Sequence, residues 1–286
     1  MYTVKIENIS GNVYVLTVNE AIYQVVNIVG LNPPKAQINT TTIVGLDGAV
    51  FNSSKLETRN IVITVKINGD VEENRLNLYR YFRTKEWCKF YYSNESVDVF
   101  IEGYVESVEC GLFTNDERAQ ISIICPYPYF KSVEQIVDDI SSTIAQFTFP
   151  FSINEGEPIP FSTLLISGET NVYNSTATES GVEIEIDISG AVSDIVIRNT
   201  TTGEQISLSY TFQSGDRVFI NTNKGQKSVK LVRNGETSNL FSSVQQGSVF
   251  FQLNSGDNLF SYLVDDGDNN ADVFIYFKHY NTYRGV

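Results

Sequence analysis

The chain has 286 residues, 42% of them hydrophobic, with 18 Phe and 16 Tyr against only seven Pro. That inventory fills a sizeable core in two domains or one large β domain, and it excludes global disorder and a proline-rich linker architecture. A formal charge of −14 disfavours a nucleic-acid binder, because every phosphate contacted needs a cation facing it.

The first residues, Met1-Tyr2-Thr3-Val4-Lys5-Ile6-Glu7, carry no basic leader ahead of an apolar stretch, so no signal peptide is expected. No apolar run approaches the length of a membrane span. Val13 and Val15 alternate with Asn12 and Tyr14 and give the first strand signal. Residues 46–54 set Leu46, Val50 and Phe51 among Gly, Asn and Ser. They read either as a hairpin tip packed on its own domain or as an exposed contact surface. Ile61, Ile63, Val65 and Ile67 alternate with Val62, Thr64 and Lys66, a half-buried strand that Asn68-Gly69 turns.

One helix is expected, over about 70–85. Leu76, Tyr79 and Phe82 recur at helical spacing, Asp70 is placed as N-cap, and Glu73 stands three residues on. Glu72 and Glu73 suit the positive end of its dipole and Arg80, Arg83 and Lys85 the negative end. Beyond it, Glu102, Glu106 and Glu109 alternate with Tyr104, Val105 and Val108 and read as the wet side of strands rather than a paired-carboxylate site. Residues 119–124 form another strand, which Cys125-Pro126-Tyr127-Pro128 stops, because proline supplies no ladder N–H and restricts the residue before it.

Residues 131–158 are the candidate boundary. Val133, Ile136, Val137 and Ile140 fit either a short helix or a strand entering the next domain. We therefore expect domains at 1–135 and 136–286. The second half gains Thr, Ser, Asn and Gly and shows short strands between turns such as Ser214-Gly215-Asp216 and Asn234-Gly235, the pattern of a jelly-roll sandwich. Val182, Ile184, Ile186 and Ile188 between Glu183, Glu185 and Asp187 give one dry and one wet face.

Catalytic chemistry is scarce. The sole histidine, His279, sits in the strand pattern of residues 272–280 and reads as structural or surface. The three cysteines, Cys88, Cys110 and Cys125, are too scattered for a zinc motif and read as reduced thiols. The acidic residues 265–272 offer oxygens at Asp266, Asp268 and Asn270, but Ala271 stands where a calcium loop needs glycine, so a solvated turn is the better reading. Asn-x-Ser/Thr triplets, those at Asn8 and Asn174 among them, carry no meaning without a secretory route. No catalytic, metal or cofactor residues are expected, and the chain is not expected to be an enzyme.

An ordered set of segments resembles the distal tail proteins of siphophages. It comprises Gly45-Leu46-Asp47-Gly48, Arg59-Asn60-Ile61-Val62-Ile63, the capped helix near residues 75–82, Gly103-Tyr104-Val105 and residues 121–130. It continues with residues 215–222, 225–229, Asn234-Gly235, residues 251–258 and Tyr283-Arg284-Gly285-Val286. Asn221 stands where the family often has aspartate. The resemblance implies a mainly β fold: an N-terminal β-barrel or sandwich-like ring domain with one helix, then a galectin-like jelly-roll β-sandwich.

It implies a structural virion protein forming a homo-hexameric ring at the tail tip, made in the host bacterial cytoplasm. The ring would join the tail tube to the tail-associated hub or lysin protein and the baseplate, with receptor-binding proteins carried outside. DNA would pass through the lumen without sequence-specific contact. Leu46, Val50 and Phe51 are the candidate inter-subunit or tube contacts, and the edges of the strands at residues 61–67 or 89–92 are candidates for pairing across subunits. The alternatives are a carbohydrate-binding adhesion module for host recognition, or the equivalent ring of a contractile tail or tail-like bacteriocin. The sole tryptophan, Trp87, lies in the first half, away from the sandwich that a sugar would use.

Overall fold

The computed structural model describes residues 2–16, 22–45, 47–111, 117–145, 162–166, 168–264 and 272–286. The chain forms two units, Met1–Val133 with Thr282–Val286, and Glu134–Asn281. The cut expected at 135 assigns all of the last residues to the second unit; in the structure Thr282–Val286 return to the first.

The first unit contains β1 (Thr3–Asn8), β2 (Val13–Leu16), β3 (Tyr23–Val29), β4 (Ala36–Thr41), β5 (Val50–Leu56), β6 (Arg59–Ile67), α1 (Val71–Tyr81), β7 (Trp87–Ser93), β8 (Asp98–Cys110), β9 (Arg118–Cys125) and β10 (Phe130–Ser132). Its main sheet runs β2-β1-β7-β8-β9-β6-β3, with β10 paired to β8 off that path; among the described residues β2 and β3 do not pair with each other and end the path. Ile61, Ile63, Val65 and Ile67 point into the core with Ile121 and Ile123 of the neighbouring strand, as their alternation dictates. On β2 the alternation runs the other way: Leu16 is buried and Val13 and Val15 are exposed, because the edge strand offers them no covering layer.

Asp70 caps α1 by accepting the Glu73 N–H at 3.2 Å. The helix ends at Tyr81, short of the expected 85, where the Phe82 N–H still bonds Leu78 O but the chain leaves helical geometry; Lys85 then adopts φ 72°. The buried face is Leu78 and Tyr81, with Phe82 after them, whereas Leu76 is exposed. The Tyr81 hydroxyl fixes that choice by sharing its one proton between the carbonyls of Ile6, at 2.7 Å, and Asn12, at 2.5 Å.

The second unit contains β11 (Ile136–Asp139), β12 (Ser141–Ala145), β13 (Ser162–Ile166), β14 (Glu169–Asn174), β15 (Val182–Ile188), β16 (Val192–Asn199), β17 (Gln205–Phe212), β18 (Arg217–Asn221), β19 (Ser228–Arg233), β20 (Glu236–Asn239), β21 (Gly256–Val264) and β22 (Val273–His279). The final strand, β23 (Thr282–Tyr283), pairs with β10 in the first unit's sheet. A six-stranded sheet, β11-β22-β15-β18-β19-β20, and a four-stranded one, β14-β21-β16-β17, supply this unit's core. Phe260 and Phe277, one from each sheet, stack with centroids 4.5 Å apart. The buried Asp216 carboxylate takes two bonds from Arg233, at 2.7 and 2.6 Å, which pulls its pKa below the ordinary range and pins the turn before β18. The fold is mainly β with one α-helix among the described residues.

Candidate assembly surface

The sequence between Pro34 and Glu57 builds a hairpin, β4 with β5, that pairs with no other strand among the described residues. Its composition explains this. Ala36-Gln37-Ile38-Asn39-Thr40-Thr41 and Val50-Phe51-Asn52-Ser53-Ser54-Lys55-Leu56 have no continuous apolar face to bury. The strands are held by their ladder and by side-chain bonds from Asn39 to Ser53, at 3.0 Å, and from Asn52 to Thr41, at 2.6 Å. Every residue of β4 and all but Leu56 of β5 are exposed. Of the contact residues expected from sequence, Phe51 is 61% and Val50 45% exposed, on the strand rather than at the tip. Leu46 lies outside the described residues. Ile38, Ile43 and Val44, which sequence reading did not single out, are exposed on the same hairpin segment.

The second unpaired feature is the gap in the main sheet. Strands β6 and β7, whose edges were expected to pair across subunits, lie inside the sheet with partners on both sides. Among the described residues, the path through the sheet ends at β2 and β3, each paired on one side only. Between them runs a groove of about 380 Å³ lined by Tyr2, Val4, Leu16, Val25, Val26 and Ile28. Of its lining, Val26 is exposed; Val13 and Val15 on β2 and Val29 on β3 are exposed as well, and a bulge between Val25 and Asn27 breaks the β3 ladder.

The groups considered for catalysis do not assemble. Glu102, Glu106 and Glu109 lie along β8, and Glu106 accepts a bond from the Ser122 hydroxyl at 2.8 Å. Cys88 and Cys125 are buried, which pushes their thiols up to about 12, away from reactivity. Among the described residues, no group of three or more His, Cys, Asp or Glu converges on a metal position, and no helix is long and apolar enough to cross a membrane. The calcium-loop candidates Asp266, Asp268 and Asn270 lie outside the described residues.

His279 is buried on β22, with Ile136 and Val182 as its cross-strand neighbours. Its Nε2 is 3.6 Å from Asp138 Oδ2, and neither ring nitrogen has a hydrogen-bond partner among the described residues. Burial lowers its pKa, opposed by Asp138, while burial raises that of Asp138. Between the unfolded histidine value, about 6.5, and the lower folded one, only the unfolded chain takes up the proton. This stability is therefore present above about pH 6.5 and lost as pH falls towards the folded value. Asp138 has the opposite sign, gaining stability as pH falls through its raised folded pKa. Thermal melts of His279→Phe are expected to lose less stability between pH 7.5 and 5.5 than the parent; identical slopes would contradict the assignment.

Residues 4–125 match the family model described as phage tail protein RIFT-related domain, and residues 175–280 match that of the siphovirus-type tail component, C-terminal domain. Among solved structures, the SPP1 Dit (gp 19.1) protein, described as a paradigm of hub adsorption apparatus in phages infecting Gram-positive bacteria, is similar with a TM-score of 0.70. It is 13% identical, with 99% of each chain covered. A chain of the phage p2 baseplate in its activated conformation is similar in the calcium form, with a TM-score of 0.58 at 13% identity and 100% of both chains covered. In the strontium form the TM-score is 0.59 at 14% identity, again over 100% of both chains. No curated protein matches the chain by sequence.

Proposed function

The chain belongs to the siphovirus-type tail component family, as a structural protein of the phage distal tail and baseplate, and from that premise we propose that six copies close into a ring at the tail tip. In this reading the first unit builds the ring and its lumen. It meets the tail tube on one side and the tail-associated hub on the other, while the second unit projects outward and carries receptor-binding proteins. The protein is made in the host cytoplasm and acts in the virion, where DNA crosses the lumen without being read.

The observation that carries the ring is the pair of unlike surfaces left unpaired among the described residues of one unit: the β4–β5 hairpin and the β2 and β3 edges. A cyclic head-to-tail assembly needs two different complementary patches on each subunit, whereas a two-fold dimer needs one self-complementary patch. The −14 charge suits a lumen that repels the DNA backbone, provided the acidic residues face inward. Native mass measurement and electron microscopy of the purified protein and of isolated tails test the reading. Particles of six chains around a central hole are expected; any other stoichiometry at the tail tip would refute it.

A further inference from the structure

The core side of the first unit's main sheet carries two thiols in one row. Strand alternation turns Cys88 of β7, Gly103 of β8, Cys125 of β9 and Arg59 of β6 to that side. Register aligns them. Cys88 pairs with Gly103, Tyr104 pairs with Ile124 and so brings Gly103 opposite Cys125, and Cys125 pairs with Arg59. Both thiols are free and closed off from solvent, Cys88 at 1% exposure and Cys125 at 0%.

Gly103 joins the two cysteines by leaving a notch between them. The Cys125 sulfur leans into that notch: a Cβ on Gly103 would lie 2.9 Å from Cys125 Sγ and 2.8 Å from Ile124 O. No side chain of the row therefore stands between the two sulfurs. Burial first, and then the neighbouring Cys88, holds the Cys125 thiol up at about 12, while Arg59 pulls the other way.

A disulfide does not fit. Adjacent strands lie about 4.8 Å apart, so Cα atoms two strands apart stand about 9–10 Å from each other. A disulfide spans at most about 7 Å between Cα atoms. Two metal–sulfur bonds of about 2.3 Å in place of one S–S bond lengthen the bridge by about 2.5 Å, which reaches that separation.

The donor set selects the ion. Thiolates suit soft metals such as copper(I). Structural zinc takes four ligands, and among the described residues no group of three or more His, Cys, Asp or Glu converges on a metal position. Charge narrows the choice further. Two thiolates and a monovalent ion together carry one negative charge, which the buried Arg59 beside Cys125 offsets. A divalent ion would leave the charge of Arg59 unmatched.

We infer that Cys88 and Cys125 form a two-coordinate site for a soft monovalent ion, copper(I), in the core of the first unit. Binding forms two Cu–S bonds, breaks two S–H bonds and releases two protons to solvent, with no change of oxidation state. The inference does not rest on the ring reading.

Copper(I), supplied without oxygen as its bicinchoninate complex, is offered to the full-length Cys110→Ser protein, which lacks the one partly exposed thiol. It is offered both to the folded chain and during refolding from urea. One retained ion per chain is expected, with two sulfur neighbours by X-ray absorption and a melting temperature above that of the copper-free chain. Affinity is expected to rise about a hundredfold per pH unit between about pH 6.5 and 8.5, since two protons leave for each ion bound. Cys88→Ala and Cys125→Ala should each weaken binding about a hundredfold or more, because loss of a partner that only orients a metal ligand already costs about 10–100-fold. No copper retained by either route, a pH slope of one proton or none, a sulfur count other than two, or equal retention after either cysteine is replaced would overturn the inference. The sulfur count and the pH slope need no substitution at the site, so they decide the matter where a cysteine variant does not fold.

Discussion

Replacing Arg59 with methionine is expected to destabilise the first unit by about 3–5 kcal/mol. The corresponding fall in Tm is on the order of 15 °C. Arg59 is 2% exposed; among the described residues it has no carboxylate partner, and its guanidinium is satisfied by backbone carbonyls. Nε donates to Pro128 O at 2.8 Å, one terminal nitrogen to Asn32 O at 2.7 Å and to Gly30 O, and the other to Arg284 O at 2.5 Å. The guanidinium carbon sits 4.5 Å from the Phe130 centroid. Burial lowers the pKa of this arginine, yet a guanidinium does not lose its proton in a protein, so the charge is carried by carbonyl dipoles and an aromatic face.

Each bond from a charged donor is worth about 1.5–3 kcal/mol. The bonds are not additive, and removing the cation also removes its desolvation cost, which is why the expected loss stays below their sum. Lysine is no substitute, since a single ammonium cannot reach carbonyls arranged around a planar fork. The site also depends on glycine. Gly30 has φ +100°, and a Cβ there would lie 2.2 Å from Asn60 O; a Cβ on Gly285 would meet Pro33 at 2.8 Å. Arg59→Met therefore has a second readout. Thr282–Tyr283 should lose their pairing with Phe130 and Lys131, and the C-terminal residues should become cleavable by protease before the unit unfolds. A melting temperature within 3 °C of the parent, well inside the expected shift, with an uncleaved tail would show that the carbonyls find water instead.

Arg59 marks where sequence reading stops. The strand it opens was legible, because Ile61, Ile63, Val65 and Ile67 carry their burial in their spacing. A cation ahead of such a run reads as solvated, and nothing local says otherwise: its partners lie at Gly30, Pro128 and Arg284 and meet only in the finished fold. The Asp70 cap was legible for the same local reason. The buried face of α1 was not, because Tyr81 is chosen over Leu76 by carbonyls of Ile6 and Asn12, which the helix pattern does not contain. Glu183 and Glu185 alternate identically in sequence, yet only Glu185 is buried beneath Lys278 and Arg217. The strand β4 went unread because its residues are polar and bury nothing, and period-two reasoning detects a strand only through its dry face.

That blind spot coincides with the surface on which assembly is expected to depend. A lone two-stranded hairpin is marginal in water, and this one displays Ile38, Val50 and Phe51 to solvent with no third strand among the described residues to support it. If a neighbouring subunit or the tube covers it, Phe51→Ser should remove an apolar anchor worth about 2 kcal/mol or more at each interface. The same contact recurs around a ring, so the loss compounds, and closed particles should be largely replaced by monomers or short arcs. The folded monomer should change by less than about 0.5 kcal/mol, since Phe51 buries little in its own chain. Val50→Ser should act in the same direction with a smaller effect, because it exposes less apolar area to a partner. Particle counts by electron microscopy and denaturant unfolding of the isolated monomer separate the two contributions. Equal loss of assembly and of monomer stability would place Phe51 in the packing of its own unit. Loss of assembly alone would place it at a contact between chains.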